Sequence, residues 1–281
     1  MPGEAPDRTL HEISEAMAPG WERWRERVDA TLAPVRRRLV AGLAPAEGDT
    51  VLEVAAAAGD TGFEAARVVG ERGRLISTDL TPAMVAVGRR RAAELGITNA
   101  EHVVMDARRL ELPDASVDGV LCRFAYMLLP DPAAGLAEAR RVLRPGGRIA
   151  LAVWRAPEQN PWISVPGRVA VERGHVPPPE PGAPGPFAMA DERRTRALIE
   201  GAGFGGVRTE EVALTVTFRD SDDLMAMTTD MSGPMGMVLR GLPGDEREEV
   251  RRRLEEALAP FASDGGLALP GLALCATATA A

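Results

Sequence analysis

The chain has 281 residues, of which 45% are hydrophobic and 26% charged, enough to bury one large core with accessory segments. Its net charge is −8 and every one of its 33 basic residues is arginine. A balance this acidic argues against long-range capture of nucleic acid or an anionic membrane. Two cysteines, Cys122 and Cys275, both inside apolar runs, make neither a metal framework nor a disulfide scaffold. The N-terminus lacks the order of a secretory signal, and no apolar run reaches the roughly 20 residues of a membrane span. A cytoplasmic protein is expected.

Residues 7–44 carry helical spacing, interrupted at Pro19-Gly20 and Pro34, with Trp21, Trp24, Val28, Leu32, Val35 and Leu39 on one face. Five short apolar runs follow, at 50–55, 73–79, 101–106, 117–123 and 147–154. Helical segments at 62–71, 82–95 and 132–143 separate them, an alternation that predicts βαβ units and a buried parallel sheet. Then the rhythm stops. The segment GHVPPPEPGAPGPF is too rich in proline for regular structure. A helix over 190–204, a β-branched strand over 207–218, two helical patches within 220–262 and a last strand over 267–280 complete the chain.

The chemistry concentrates in VLEVAAAAGDTGFEAA, where a strand enters a turn of small residues and a helix leaves it. Such a turn admits a ligand close to the backbone, and the helix start offers unpaired N–H groups to polar or anionic atoms. Asp79 ends the second strand, twenty positions after Gly59, where a carboxylate can accept both hydroxyls of a ribose. Asp106 ends the third strand in the same way. Three successive strand ends bearing Gly, Asp and Asp form one constellation at the carboxyl edge of the sheet.

These segments resemble class I S-adenosylmethionine-dependent methyltransferases, in particular the ubiquinone/menaquinone-biosynthesis-like branch. The resemblance is carried by LEVAAAAGDTG (52–62), STDLTPAMV (77–85), VMDARRLELPDASVDGVLCR (104–123) and RRVLRPGGRIALAVW (140–154). It implies an α/β fold: a Rossmann-like, doubly wound seven-stranded sheet of order 3-2-1-4-5-7-6, last strand antiparallel, with a mainly helical lid. On that basis residues 1–44 are an N-terminal lid, 45–155 the cofactor-binding core, 156–189 a proline-rich cap loop, and 190–281 the rest of the core with a lid insertion at 219–262.

The resemblance also implies roles. Glu53 and the turn through Ala55, Ala57 and Gly59 hold the amino acid end of S-adenosylmethionine. Asp79 binds the ribose, Leu80 lies against the adenine with Met84 nearby, Asp106 accepts from the adenine amino group, and Ala107 lies beside the ring. Arg123 lies under the methionine portion and faces the substrate. Where the family has glycines this chain has Ala55 and Ala57, which adds methyl groups to the turn.

Among catalytic candidates, Tyr126 follows the fourth strand, and His11 and His175 lie in segments able to fold over the site, although each is equally a packing or surface residue. No histidine pair has metal-ligand spacing, so no metal is expected. Without an unmistakable base, catalysis is expected to rest on proximity and desolvation. The acceptor is then a small, largely apolar molecule, aromatic, quinone-like or polyketide-like, taken into a lid in which Met225, Met227, Met231, Met235 and Met237 make an adaptable wall. A homodimer is possible. Two other readings stand beside this one. The first is a nicotinamide oxidoreductase, disfavoured by the missing G-x-G-x-x-G. The second is a methyltransferase-fold binding module that holds the cofactor weakly or not at all, favoured only by the two alanines.

Overall fold

A computed structural model describes residues 4–180 and 182–280, with side chains from Leu10 onward. Among the described residues, eight strands form one sheet: β1 (Thr50–Val54), β2 (Arg74–Asp79), β3 (Ala100–Val104), β4 (Val117–Arg123), β5 (Leu143–Trp154), β6 (Phe204–Phe218), β7 (Ala262–Ser263) and β8 (Gly266–Ala280). Their order is β3-β2-β1-β4-β5-β8-β6, with β7 paired to β8. Without the two-residue β7 this is the expected 3-2-1-4-5-7-6. β1 to β5 pair in parallel, and β8 runs antiparallel to both β5 and β6. The strand order reverses beside β1, between β2 and β4, and there the carboxyl ends leave a crevice for a ligand.

The helices are α1 (Glu4–Leu43), α2 (Asp60–Val69), α3 (Pro82–Glu94), α4 (Pro132–Val142), α5 (Pro161–Glu172), α6 (Glu192–Gly201), α7 (Ser221–Met231), α8 (Pro234–Gly241) and α9 (Gly244–Leu258). Side-chain caps set several starts. Asp131 accepts from the Ala134 amide at 3.0 Å and Asp191 from that of Arg194 at 2.7 Å. Pro82 and Pro132 occupy first-turn positions, where the missing N–H costs nothing. At the opposite edge of the sheet, Asp118 accepts from the Thr50 amide at 2.9 Å and ties the starts of β1 and β4.

Two boundaries differ from the sequence expectation. Residues 1–44 are not a separate lid: α1 runs unbroken through Pro19 and Pro34. An interior proline costs about 3 kcal/mol, and here core burial offsets it. Val28, Leu32, Val35, Leu39, Val40 and Leu43 are all buried, so the second half of α1 is a core helix. Only its first half reaches the carboxyl edge, where Ala18 and Trp21 pack on Ala57, Ala58 and Met84. Residues 156–189 are not all loop either. α5 forms upstream of the prolines because the buried Asn160 fixes its start, donating to the carbonyls of Arg155, Ala156 and Leu272 and accepting from the Leu272 amide at 2.9 Å.

α7 closes over the first half of α1. Gly20 lies flush against the backbone of Asp230, whose carboxylate accepts from Trp24 Nε1 at 2.8 Å. No helix among the described residues is long and apolar enough to cross a membrane.

Candidate active site

β1 delivers Glu53 and then turns sharply. The backbone is left-handed at Ala55 (φ 52°), Ala57 (φ 50°) and Gly59 (φ 84°). Only glycine enters this region freely, and each alanine there costs on the order of 1 kcal/mol. The strain is held by β2. The Ala56 amide donates to the Thr78 carbonyl at 2.8 Å, and the Thr78 hydroxyl donates to the Glu53 carbonyl at 2.9 Å. The Ala57 amide donates to Asp79 Oδ2 at 2.9 Å, while the Leu80 amide donates to Asp79 Oδ1 at 2.8 Å. Burial raises the Asp79 carboxyl above its ordinary value, although these two amides oppose the rise.

Under the first turn of α2 lies a group of charged and polar atoms without partners. Glu53 Oε2, Asp60 Oδ2, Thr61 Oγ1 and Arg123 Nη1 are all buried and accept or donate no hydrogen bond among the described residues. Burial pushes the Glu53 carboxyl up to about 8, although Arg123 and the Gly62 amide pull it down. Burial likewise lowers Arg123, opposed by Glu53 and Asp60. Such groups cost stability unless something complements them. Gly62 is required at this place, because a Cβ there would stand 2.3 Å from Glu53 Oε2.

These residues fit a zwitterionic amino acid. Glu53 and the open oxygen of Asp60, whose Oδ1 accepts from Arg91 Nε at 3.2 Å, can take an ammonium, and a guanidinium with the N–H groups at the start of α2 can take a carboxylate. On the far side of Asp79 a cavity of about 540 Å³ opens, lined by Leu80, Val104, Met105, Asp106, Arg108, Arg109 and Glu111. The structure therefore brings together Glu53, Ala55, Ala57, Gly59, Asp79 and Arg123 at one end, and Leu80 and Asp106 at the other. Ala107 follows Asp106, half-buried against the core. Met84 does not line the cavity; it is buried in the cluster between Ala57 and Ala18.

The remaining catalytic candidates have different surroundings. Tyr126 is 1% exposed, with its ring packed beside Gly135 of α4 and its hydroxyl enclosed, which makes it a packing aromatic. His175 lies 3.2 Å from Glu246 Oε2, in an ion-pair group with Arg173 that joins α5 to α9. His11 is exposed on α1. Cys122, next to Arg123, is no nucleophile, since burial pushes its thiol up to about 12.

Other residues at the site carried weaker sequence signals. Asp60 and Thr61 stand within the quoted turn motif and are the first residues of α2. Phe124, just after Arg123, takes a left-handed φ of 63° and stacks on Trp154 with ring centroids 3.7 Å apart. Trp162 meets Trp154 edge-on at 5.3 Å. A bulky residue at positive φ is an outlier that the surroundings must enforce, and such outliers gather at functional sites.

The strand order is that of a Rossmann-like methyltransferase fold. Residues 51–147 match the family described as a methyltransferase domain. Among curated relatives, the demethylmenaquinone methyltransferase of Beutenbergia cavernae is 37% identical over 93 residues, covering 33% of this chain and 37% of that protein. The ubiquinone/menaquinone biosynthesis C-methyltransferase of Acidiphilium cryptum is 46% identical over 77 residues, 27% of this chain and 31% of that protein. The chain thus matches about a third of the length of these relatives. Among solved structures, the YcgJ protein of Bacillus subtilis superposes with a TM-score of 0.59 at 20% identity, covering 88% of this chain and 97% of that one. At that identity the likeness concerns the fold.

Proposed function

We propose that this protein is an S-adenosylmethionine-dependent methyltransferase acting on a small, largely apolar acceptor with a planar ring. The observation that carries the donor is the set of buried atoms Glu53 Oε2, Asp60 Oδ2, Thr61 Oγ1 and Arg123 Nη1, which have no hydrogen-bond partner among the described residues and which a zwitterionic amino acid complements. Bound there, S-adenosylmethionine would supply a methyl group activated by a sulfonium. Glu53 and Asp60 would hold the ammonium, Arg123 the carboxylate, Asp79 the ribose, and Leu80 with Asp106 the base.

The acceptor is inferred from what adjoins Arg123. Phe124 and Trp154 form a stacked pair at the ends of β4 and β5, and Trp162 extends it. α7 adds Met225, Met227 and Met231, buried or half-buried and adaptable in shape. The quinone-related names of the two relatives agree with such an acceptor. His175 pairs with Glu246 and His11 is exposed, and in this reading the chain's contribution is to position the reactants and exclude water, worth roughly 7–11 kcal/mol of the barrier.

Incubation with methyl-labelled S-adenosylmethionine and a panel of phenols and quinols, with an oligonucleotide and a peptide as controls, tests this reading. Label in the small aromatic acceptors supports it. Label in the macromolecules alone overturns the acceptor class. The binding-module reading rests on Ala55 and Ala57, and it prevails if the donor binds weakly or not at all and no acceptor gains label.

A further inference from the structure

Asp106 closes a four-residue turn whose geometry is set by one neighbour. Its carbonyl accepts from the Arg109 amide at 3.0 Å. Its Oδ1 accepts from the Arg108 amide at 2.8 Å and from Arg108 Nε at 3.1 Å, and its Oδ2 accepts from Arg108 Nη2 at 2.6 Å. A carboxylate has about four acceptor positions, two on each oxygen. Among the described residues, Oδ1 is filled and Oδ2 keeps one position. Asp106 and Arg108 both line the cavity beside Leu80 and Met105, which supply its apolar walls.

We propose that Arg108 is a specificity-determining positioning residue: by forking Asp106 it leaves that carboxylate a single acceptor position, so the cavity selects a 6-amino purine over a 6-oxo purine. This rests on the donor reading above and deepens it. A 6-amino group donates to the open position on Oδ2. A 6-oxo group presents an acceptor to an acceptor, which costs a charge-assisted hydrogen bond, about tenfold or more in affinity.

The electrostatics agree. Burial alone would raise the Asp106 carboxyl, and the side chain and amide of Arg108 outweigh it, so the group stays below its ordinary value. The other charged groups around it are Arg109 and Glu111 on the cavity wall and Asp79 at the end of β2, whose carbonyl accepts from the Met105 amide at 2.8 Å. Loss of the Arg108 side chain leaves burial opposed by the amide alone, which makes protonation of Asp106 easier, and a protonated Asp106 can donate to a 6-oxo group.

The test is calorimetric titration of S-adenosylhomocysteine and S-inosylhomocysteine into wild type, Arg108→Ala and Arg108→Lys between pH 5 and 8, with circular dichroism as the check on folding. Wild type is expected to prefer the adenosyl compound by about tenfold or more. Arg108→Ala should bring the two within about threefold and move the acid limb of adenosyl binding to higher pH. Arg108→Lys, which keeps the charge but not the fork, should fall between them. It also decides the question if Arg108→Ala does not fold. A wild-type preference and acid limb in every folded variant would overturn the role of Arg108. Failure of wild type to bind either compound would instead overturn the donor reading.

Discussion

Ala57 and Asp79 are joined across the crevice: the Ala57 amide donates to Asp79 Oδ2 at 2.9 Å from a left-handed backbone with φ 50°. The turn after β1 and the acid at the end of β2 are therefore one unit. The carboxylate that would hold a ribose also holds the strained turn in place.

Asp79→Asn puts an amide where both oxygens now accept N–H groups. One backbone donor must lose its partner, at a cost of about 1–3 kcal/mol. Urea unfolding should show that loss, and S-adenosylhomocysteine affinity should fall at least tenfold. Unchanged stability and affinity would separate Asp79 from the turn.

Ala57→Gly removes a methyl from the turn and relieves a positive φ. Relief of about 1 kcal/mol is offset by the loss of about 0.8 kcal/mol of methyl burial against Ala18 and Met84, so stability should stay within about 1 kcal/mol of wild type. Donor affinity should rise, by roughly fourfold if a methyl's worth of space is what limits it. Calorimetry checks the affinity and thermal unfolding the stability.

Glu53 should couple binding to protons. Its carboxyl sits at about 8 in the folded chain, above the ordinary 4.5. Below pH 4.5 the group is protonated in both states and costs nothing. Between 4.5 and 8 the unfolded chain releases the proton and the folded chain keeps it. Stability thus falls with rising pH, by roughly a few kcal/mol in all, and levels off above 8. Glu53→Gln should flatten that slope and stabilise the protein at pH 8 while weakening donor binding. An incoming ammonium favours the carboxylate, so binding near pH 7 should release a proton. The heat of binding should then vary with the ionisation enthalpy of the buffer.

His11→Ala and His175→Ala should each keep most of the methyl transfer, within about threefold in kcat, a loss far below the ~10²–10⁴-fold contribution of a general base. His175→Ala also loses its place beside Glu246, so its effect should appear in thermal stability instead. A hundredfold loss of kcat from either variant would reveal a base.

The parallel sheet and the position of the crevice were legible because short apolar runs alternate with helices, whereas the strand order followed only from the family resemblance. Asp79, Gly59 and Asp106 were legible for the same reason: they stand at strand ends, where position alone implies a site. The continuity of α1 was hidden, since Pro19 and Pro34 read as breaks and only tertiary burial of residues such as Val35 and Leu39 overrides them. Tyr126 and His175 were placed by neighbourhood along the chain, which does not reveal that one turns inward onto Gly135 and the other outward to Glu246. Phe124 gave no signal, because its positive φ is imposed by packing on Trp154 and not by residue type.

The central claim is that the crevice between β1 and β2 holds a sulfonium nucleotide despite its two alanines. Titration of S-adenosylhomocysteine into wild type and Asp79→Asn measures this most directly. Saturable one-to-one binding is expected in wild type, weakened at least tenfold in the variant. Absence of heat and of thermal shift in well-folded wild type at millimolar ligand would contradict it.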